Sequence, residues 1–393
     1  MVTPKNKGFQ RIFMREIRHI FRHKPTLFIS IIGPLFSLLL VYFIFIDGIP
    51  RKLPVAVVDD DFTSFSRTTC RMIQATPIAE VHRSFQSLLE AKNALQKGDV
   101  DAIVYIPSGT EKNVVTGHQT DIAVYINNAN LLTSGLLTSG LRKALVTVST
   151  GIKLKFHVSK GKTWQQAYDN SMPISLQAKI LFNPFLNYSY FLVAALMPLL
   201  LMVFTMLSTG YGLGRELYNG SGKMYLRIAN NNFAAAIFGK LLPYTLASFC
   251  MAMIMNVFLF DIIAMPIRGS FLVILLSEIC MIFSYQAIIV FLIVIFKNLR
   301  LVLSIASAYI MMALTFSGLT FPLYAMPHEA QVFSQFFPFT HWLQIFIGQT
   351  MRGEPIYISF QSMYWFLLFI VLGILSLPRL QYILQNPKYW GRE

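Results

Sequence analysis

The stretch LFISIIGPLFSLLLVYFIFI, Leu27 to Ile46, decides the fold. A helix needs ~20 mostly apolar residues to cross the hydrocarbon core of a bilayer, and this run supplies them without a single charge. It is too long for the apolar part of a cleaved leader, and no small-x-small site follows it in Ile44–Pro50. It reads as an uncleaved first span.

Further along the chain, five more stretches meet the same test. They are Tyr188–Ser208 within the apolar region 180–214, Leu241–Phe260 stopping at Asp261, Gly269–Phe296 with the single charge Glu278, Leu301–Pro322, and Ile358–Pro378. Composition agrees. Of 393 residues 55% are hydrophobic and only 13% charged, about half the charged share of an average soluble protein. A chain this apolar needs lipid as part of its solvent.

The formal net charge is +15, which in a soluble protein would point to nucleic acid. Here the cations near the spans gather at particular helix ends, and no aromatic-plus-basic motif accompanies them, so no nucleic-acid partner is expected. Lys5, Lys7, Arg11, Arg15, Arg18, Arg22 and Lys24 precede span one; Arg215, Lys223, Arg227 and Lys240 separate spans two and three. Lys297 and Arg300 separate four and five, and Arg379, Lys388 and Arg392 follow six. The opposite short loops carry only Arg268 and Arg352. The positive-inside rule then places both termini in the cytoplasm and the stretch from Asp47 to about Lys179 outside.

The expected organisation is a cytoplasmic amphipathic helix over 1–25, span one over 26–46 and an extracytoplasmic α/β domain over 47–180. Spans two to six follow over 181–378, with a cytoplasmic loop 214–232 and an outer re-entrant segment 323–353, then a cytoplasmic tail 379–393. In the leading helix Arg11, Arg15, Arg18 and Arg22 fall on one narrow face, and Phe9, Ile12, Phe13, Ile17, Ile20 and Phe21 on the other. That pattern suits a helix lying on the inner leaflet with arginines near lipid phosphates; it reads as an anchor, or as a lever that also touches a cytoplasmic partner.

The external region alternates strand and helix signals: strands at Pro54–Val58, Ala79–Val81, Ala102–Ile106 and Ile122–Ile126, helices at Phe62–Gln74, Phe85–Lys97 and Leu131–His157. Asp59-Asp60-Asp61 lacks the glycine and distal glutamate of a calcium loop and reads as a helix-capping turn. Cys70 is the region's sole cysteine, Cys250 and Cys280 lie in spans, and no Cys/His cluster has metal-ligand spacing.

The loop GRELYNGSGKMYLRIANNN, Gly214 to Asn232, contains Gly220-Ser221-Gly222-Lys223. It is not a phosphate loop: Leu217 stands where the motif needs glycine, Met224 where it needs Ser or Thr, and no strand precedes it. The chain is therefore expected to bind no nucleotide and to catalyse no reaction itself. The loop reads either as a solvated turn or as a short helical element that offers Arg215, Glu216, Tyr218, Lys223 and Arg227 to a partner. Glu278 lies about a third of the way into span four from the outer side, where a carboxylate is costly and suggests a pathway role or a protonated interhelical hydrogen bond. Ser277, Ser284 and Tyr285 on its own helix are candidate partners. Phe316–Gly353, broken by Pro322, Pro327 and Pro338, is too short to span twice and suits two re-entrant half-helices; its His341 reads as a packed histidine more than a relay.

The order of these parts resembles the permease subunit of an ABC transporter of the ABC-2 class, in the branch with a large extracytoplasmic domain after span one. Four stretches carry the resemblance: the basic amphipathic helix with Lys24-Pro25 and a span holding Pro34; Gly214-Arg215-Glu216; Phe316-Ser317-Gly318-Leu319-Thr320-Phe321-Pro322 with Met326-Pro327; and Phe337-Pro338-Phe339-Thr340-His341-Trp342 leading to Arg352-Gly353. The resemblance implies an exporter in a bacterial inner membrane, a second permease subunit, identical or paralogous, and two cytoplasmic ATPase subunits that bring ATP and Mg. It also implies that Arg215, Glu216, Tyr218, Lys223 and Arg227 receive the ATPase motion, and that the segment with Gly318, Pro322, Pro327 and His341 forms an outer gate. A periplasmic adaptor is compatible with it. Where the family often has a longer acidic or Gly-Thr stretch after the Arg-Glu pair, this chain has Leu217-Tyr218-Asn219-Gly220. The apolar, Met- and Phe-rich spans suit an amphiphilic substrate. Two rival readings are a receptor whose α/β domain binds a ligand, lacking an output module here, and a membrane-embedded lipid-modifying enzyme, for which only Glu278 and His341 offer chemistry.

Overall fold

The computed structural model describes residues 4–46, 48–116, 118–171, 181–183 and 187–391. Asp47, Lys179, Ile180 and Arg392, which entered the expectations above, lie outside them. The chain divides into two units, one made of Met1–Gly48 with Ile180–Glu393 and the other of Ile49–Lys179.

The inserted unit is α/β. In chain order it contains β1 (Leu53–Asp59), α3 (Ser64–Gln74), β2 (Ala79–Phe85), α4 (Leu88–Lys97), β3 (Ala102–Ile106), α5 (Thr110–Thr116), β4 (Ala123–Ile126), α6 (Leu131–Ser159) and α7 (Trp164–Ser171); α1 (Pro4–Arg22) and α2 (Lys24–Ile44) precede it in the other unit. The sheet order is β2-β1-β3-β4, with β1 parallel to both neighbours and β4 antiparallel to β3. Alternation along the central strand β1 explains the layers. Val55 and Val57 pack with Ile73 of α3 and Leu137, Leu141 and Ala144 of α6, while Ala56 and Val58 pack with Ala91 and Ala94 of α4. A strand covered on both faces reads as a continuous apolar run.

Two local expectations change. Phe85 is the last residue of β2, paired with Val58, and not the start of a helix; α4 begins only after Ser87, whose side chain accepts from the Glu90 amide at 3.2 Å. The triple aspartate is a turn, but the N-cap of α3 is Thr63. Asp59 instead accepts from the amides of Asp61 and Phe62, and Asp61 from the Thr63 hydroxyl and the Glu111 amide at the start of α5.

Among the described residues, the other unit holds six helices long and apolar enough to cross a membrane: α2 (Lys24–Ile44), α8 (Tyr188–Tyr218), α10 (Phe233–Ile262), α11 (Phe271–Phe296), α12 (Leu299–Phe316) and α15 (Ile356–Gln385). Shorter helices are α1 (Pro4–Arg22), α9 (Gly222–Ile228), α13 (His328–Ser334) and α14 (Pro338–Ile347). α8 is central and packs against α2, α10, α11 and α12. Polar side chains join these helices within the apolar core: Thr205 donates to Ser248 at 3.0 Å, and Gln286 both accepts from Thr245 at 2.9 Å and donates to Thr209 at 3.3 Å. Such groups join helices where lipid offers no competing partner.

Span five ends at Phe316, not at Pro322, because the chain turns at Gly318 with φ +88°. The segment after it is the broken pair α13 and α14, divided at Phe337-Pro338. The last helix passes Pro378 and continues to Gln385. The tail then folds back, the Gly391 amide donating to the Leu217 carbonyl at 3.1 Å.

Candidate functional site

At one end of the spans, α1 lies along α10. It buries Ile12, Glu16 and Ile20, which recur every four residues on one face. An acid in the middle of that stripe needs compensation, because an unpaired buried carboxylate costs several kcal/mol. Lys240 of α10 supplies it. Its ammonium lies 3.0 Å from Glu16 Oε1 and 2.7 Å from Glu216 Oε1 of α8, and all three side chains are fully buried.

Around this centre, Arg15 Nη2 reaches Glu216 Oε1 at 2.5 Å and Arg215 Nη2 lies 3.6 Å from Glu16 Oε1. The Ser221 hydroxyl donates to Glu216 Oε2, and the Tyr244 hydroxyl donates to Glu16 Oε2 at 3.2 Å. The Tyr225 ring of α9 lies under the Lys240 ammonium, 5.2 Å from its centroid. Burial beside Glu216 and Glu16 pushes the Tyr225 phenol well above its ordinary range. Two carboxylates and three cations thus tie α1, α8 and α10 together, with α9 against them. Gly212 makes room: a Cβ there would lie 2.5 Å from the Tyr244 ring and its hydroxyl.

Beside the network is a cleft of about 610 Å³ whose wall includes Arg15, Arg18, Arg22, Arg215, His19 and His23, with no carboxylate among its described residues. His19 contacts Arg215 through Nε2 and stacks on His23 at 4.7 Å. Burial and the adjacent Arg215 lower its pKa to about 4.

The residues singled out from sequence fall into separate roles. Arg11, Arg18 and Arg22 are exposed on α1, whereas Arg15 turns into the network. Glu216 is buried and committed to Arg15, Lys240 and Ser221, so its carboxylate is not offered outward; Tyr218, Lys223 and Arg227 are exposed. Glu278 is buried in α11, and its partner is not Ser277, Ser284 or Tyr285 but Asn256 of α10, whose amide donates at 2.9 Å. Ser277 and Ser284 donate instead to carbonyls of their own helix. Glu278 Oε1 and Asn256 Oδ1 have no hydrogen-bond partner among the described residues. His341 is buried, stacks on Trp365 at 4.9 Å and hydrogen-bonds the Gln335 carbonyl through Nε2 at 3.0 Å, the geometry of a packed ring. Pro322 and Pro327 precede the short helical turns of the segment.

Sequence reasoning missed Glu16 and Lys240. The signal was present: Glu16 stands between Ile12 and Ile20 on the apolar face of α1, where a solvated acid has no place.

Six long apolar helices among the described residues, with an inserted α/β unit and a charged junction at the helix ends, define a multi-pass membrane protein. The chain belongs to the ABC-2 transporter family: the family described as ABC-2 family transporter protein matches residues 24–377. No curated protein and no solved structure matches the chain. It is accordingly a membrane-transport permease, of a family whose members are typically the non-catalytic transmembrane subunit and work with an ATPase partner. No cluster of metal-ligating side chains occurs among the described residues.

Proposed function

We propose that this chain forms, as a dimer with an identical or paralogous subunit, the pathway of an ATP-driven exporter of amphiphilic molecules in a bacterial inner membrane, coupled to separate cytoplasmic ATPase subunits. Both termini are then cytoplasmic and the inserted α/β unit is extracytoplasmic, as the distribution of Lys and Arg favours. ATP and Mg act in the partner.

The observation that carries this reading is the Glu16–Lys240–Glu216 junction. A partner pressing on α1 or α9 would push on a body already fastened to spans α8 and α10, so displacement reaches the central span without loss in a soft linker. Exposed Lys223, Met224 and Arg227 on α9 and exposed Arg11, Arg18 and Arg22 on α1 offer a basic surface to the ATPase. Glu216 acts from behind, by holding that surface on the spans. Within the membrane, Glu278 serves the pathway, and the segment containing Gly318, Pro322, Pro327 and His341 gates its outer end.

The test is purification of the tagged chain from its native host in mild detergent at natural expression, with mass spectrometry of what accompanies it. A near-stoichiometric soluble ATPase is the expected result. Its repeated absence, with the membrane protein intact, would turn attention to the external unit as a receptor.

A further inference from the structure

The apolar stripe of α6 outruns the sheet it covers. Leu137, Leu141 and Ala144 belong to the core beneath the sheet, and the core takes no residue of the helix beyond them. Yet the same face goes on through Leu145, Val148, Ile152 and Phe156, at the spacings of one helical side. From Leu145 to His157 it runs for about 18 Å. What lies against it is a cleft of about 820 Å³, lined also by Phe65 of α3 and by Ile122. That volume falls within the ~300–1,000 Å³ typical of small-molecule sites.

Among the described residues, the titratable side chains of the wall are Lys153 and His157, one turn apart on α6, and His118 from the loop before β4, with no carboxylate among them. His157 Nδ1 is buried and has no hydrogen-bond partner among the described residues. A buried donor or acceptor in that condition is costly unless a ligand or water meets it. Apolar walls of this length suit an acyl chain, and a cationic, donor-bearing end suits an anionic head.

We infer that this cleft in the inserted α/β unit binds a long-chain amphiphile with an anionic head, its chain along Leu145, Val148, Ile152 and Phe156 and its carboxylate or phosphate at Lys153 and His157. The site lies wholly within one unit and does not depend on how the ATPase couples to the spans, so either proposal can fail without the other.

The full chain, reconstituted in nanodiscs without any ATPase, is exposed to photoreactive diazirine analogues of palmitate, lysophosphatidate and hexadecanol, and the cross-linked peptides are mapped by mass spectrometry. Palmitate or lysophosphatidate, whichever head the site prefers, labels the peptide carrying Ile152 and Phe156. Ile152→Trp, which fills the cleft, lowers that labelling about tenfold, the equivalent of ~1.4 kcal/mol. Lys153→Gln, at an exposed position where folding is not at stake, lowers labelling by the anionic probes and leaves hexadecanol unchanged. The inference is overturned by cross-links confined to the six spans, by hexadecanol labelling as strongly as both anions, or by anionic labelling unchanged in Lys153→Gln.

Discussion

The Lys240 ammonium lies 2.7 Å from Glu216 Oε1, with both side chains fully withdrawn from solvent. Glu216 lies in the last turn of the central span, and Lys240 about two turns into the next long helix, beyond α9. The contact therefore fixes how two spans meet at the end where α1 joins them. Because Glu16 shares the same ammonium, one fully buried cation touches both of the carboxylates that join the three helices, with Arg15 and Arg215 beside it.

Lys240→Met should destabilise the protein by up to ~3–5 kcal/mol, the cost of breaking a buried ion pair, with Arg15 and Arg215 still compensating part of the buried charge. The triple variant Glu16→Gln, Glu216→Gln, Lys240→Met should recover much of that loss, since no buried carboxylate then lacks its partner. Thermal unfolding in detergent compares the two, and equal losses in both would show that the charges are not the cause.

Lys223→Glu with Arg227→Glu should reduce recovery of the ATPase subunit while leaving the unfolding temperature of the membrane protein in place. Both side chains are exposed, and surface substitutions of this kind usually fall within ~0.5 kcal/mol. Glu216→Gln should show the reverse order, with stability lost first and coupling lost as a consequence. Recovery of ATPase unaffected by the double reversal would remove α9 from the interface.

His19 should make stability depend on pH. Its ring stays neutral in the folded protein down to about 4, through burial and Arg215, against an ordinary value of 6.5. Below 6.5 the unfolded chain takes up a proton that the folded one refuses, so this contribution is complete above 6.5 and is lost as pH falls towards 4. His19→Gln should flatten unfolding temperature against pH in that window. A profile identical to that of the parent would assign the dependence to other groups.

Gly212→Leu should destabilise by ~1–3 kcal/mol through overpacking, because the Tyr244 ring occupies the space a side chain would need. The damage should extend to the Tyr244–Glu16 hydrogen bond. Adding Tyr244→Ala to Gly212→Leu should then cost less than Tyr244→Ala costs in the parent, a coupling readable in a double-mutant cycle. Strict additivity would indicate that the two side chains do not compete.

Glu278→Gln keeps an acceptor for the Asn256 amide and should leave assembly intact, whereas Asn256→Leu strips the carboxyl of its one partner and should cost ~1–3 kcal/mol or more. If the carboxyl serves the pathway, transport by Glu278→Gln measured across a pH series loses the dependence seen in the parent. Unchanged transport at every pH would leave Glu278 a purely structural interhelical contact.

The six apolar helices, the four strands and the family are all legible in the order of residues. These are local quantities: span length, charge-free runs and period-two or period-3.6 apolar patterning are all read within one segment. Even the misplaced boundaries at Phe85 and Pro322 were local, decided by the Ser87 cap and by the left-handed turn at Gly318. Which charges meet is settled by the packing of helices far apart in the chain. Lys240 looked like one more cation on the positive side, and Glu216 like an outward-facing docking residue, until α1, α8 and α10 were brought together around them. The partner of Glu278 proved to be Asn256 on another helix, and the α6 stripe proved to extend past its sheet into a cleft. A helix sequence states which face is apolar but not which helix will cover it. The partner of a buried charge is set by that choice, made by the packing of the whole unit.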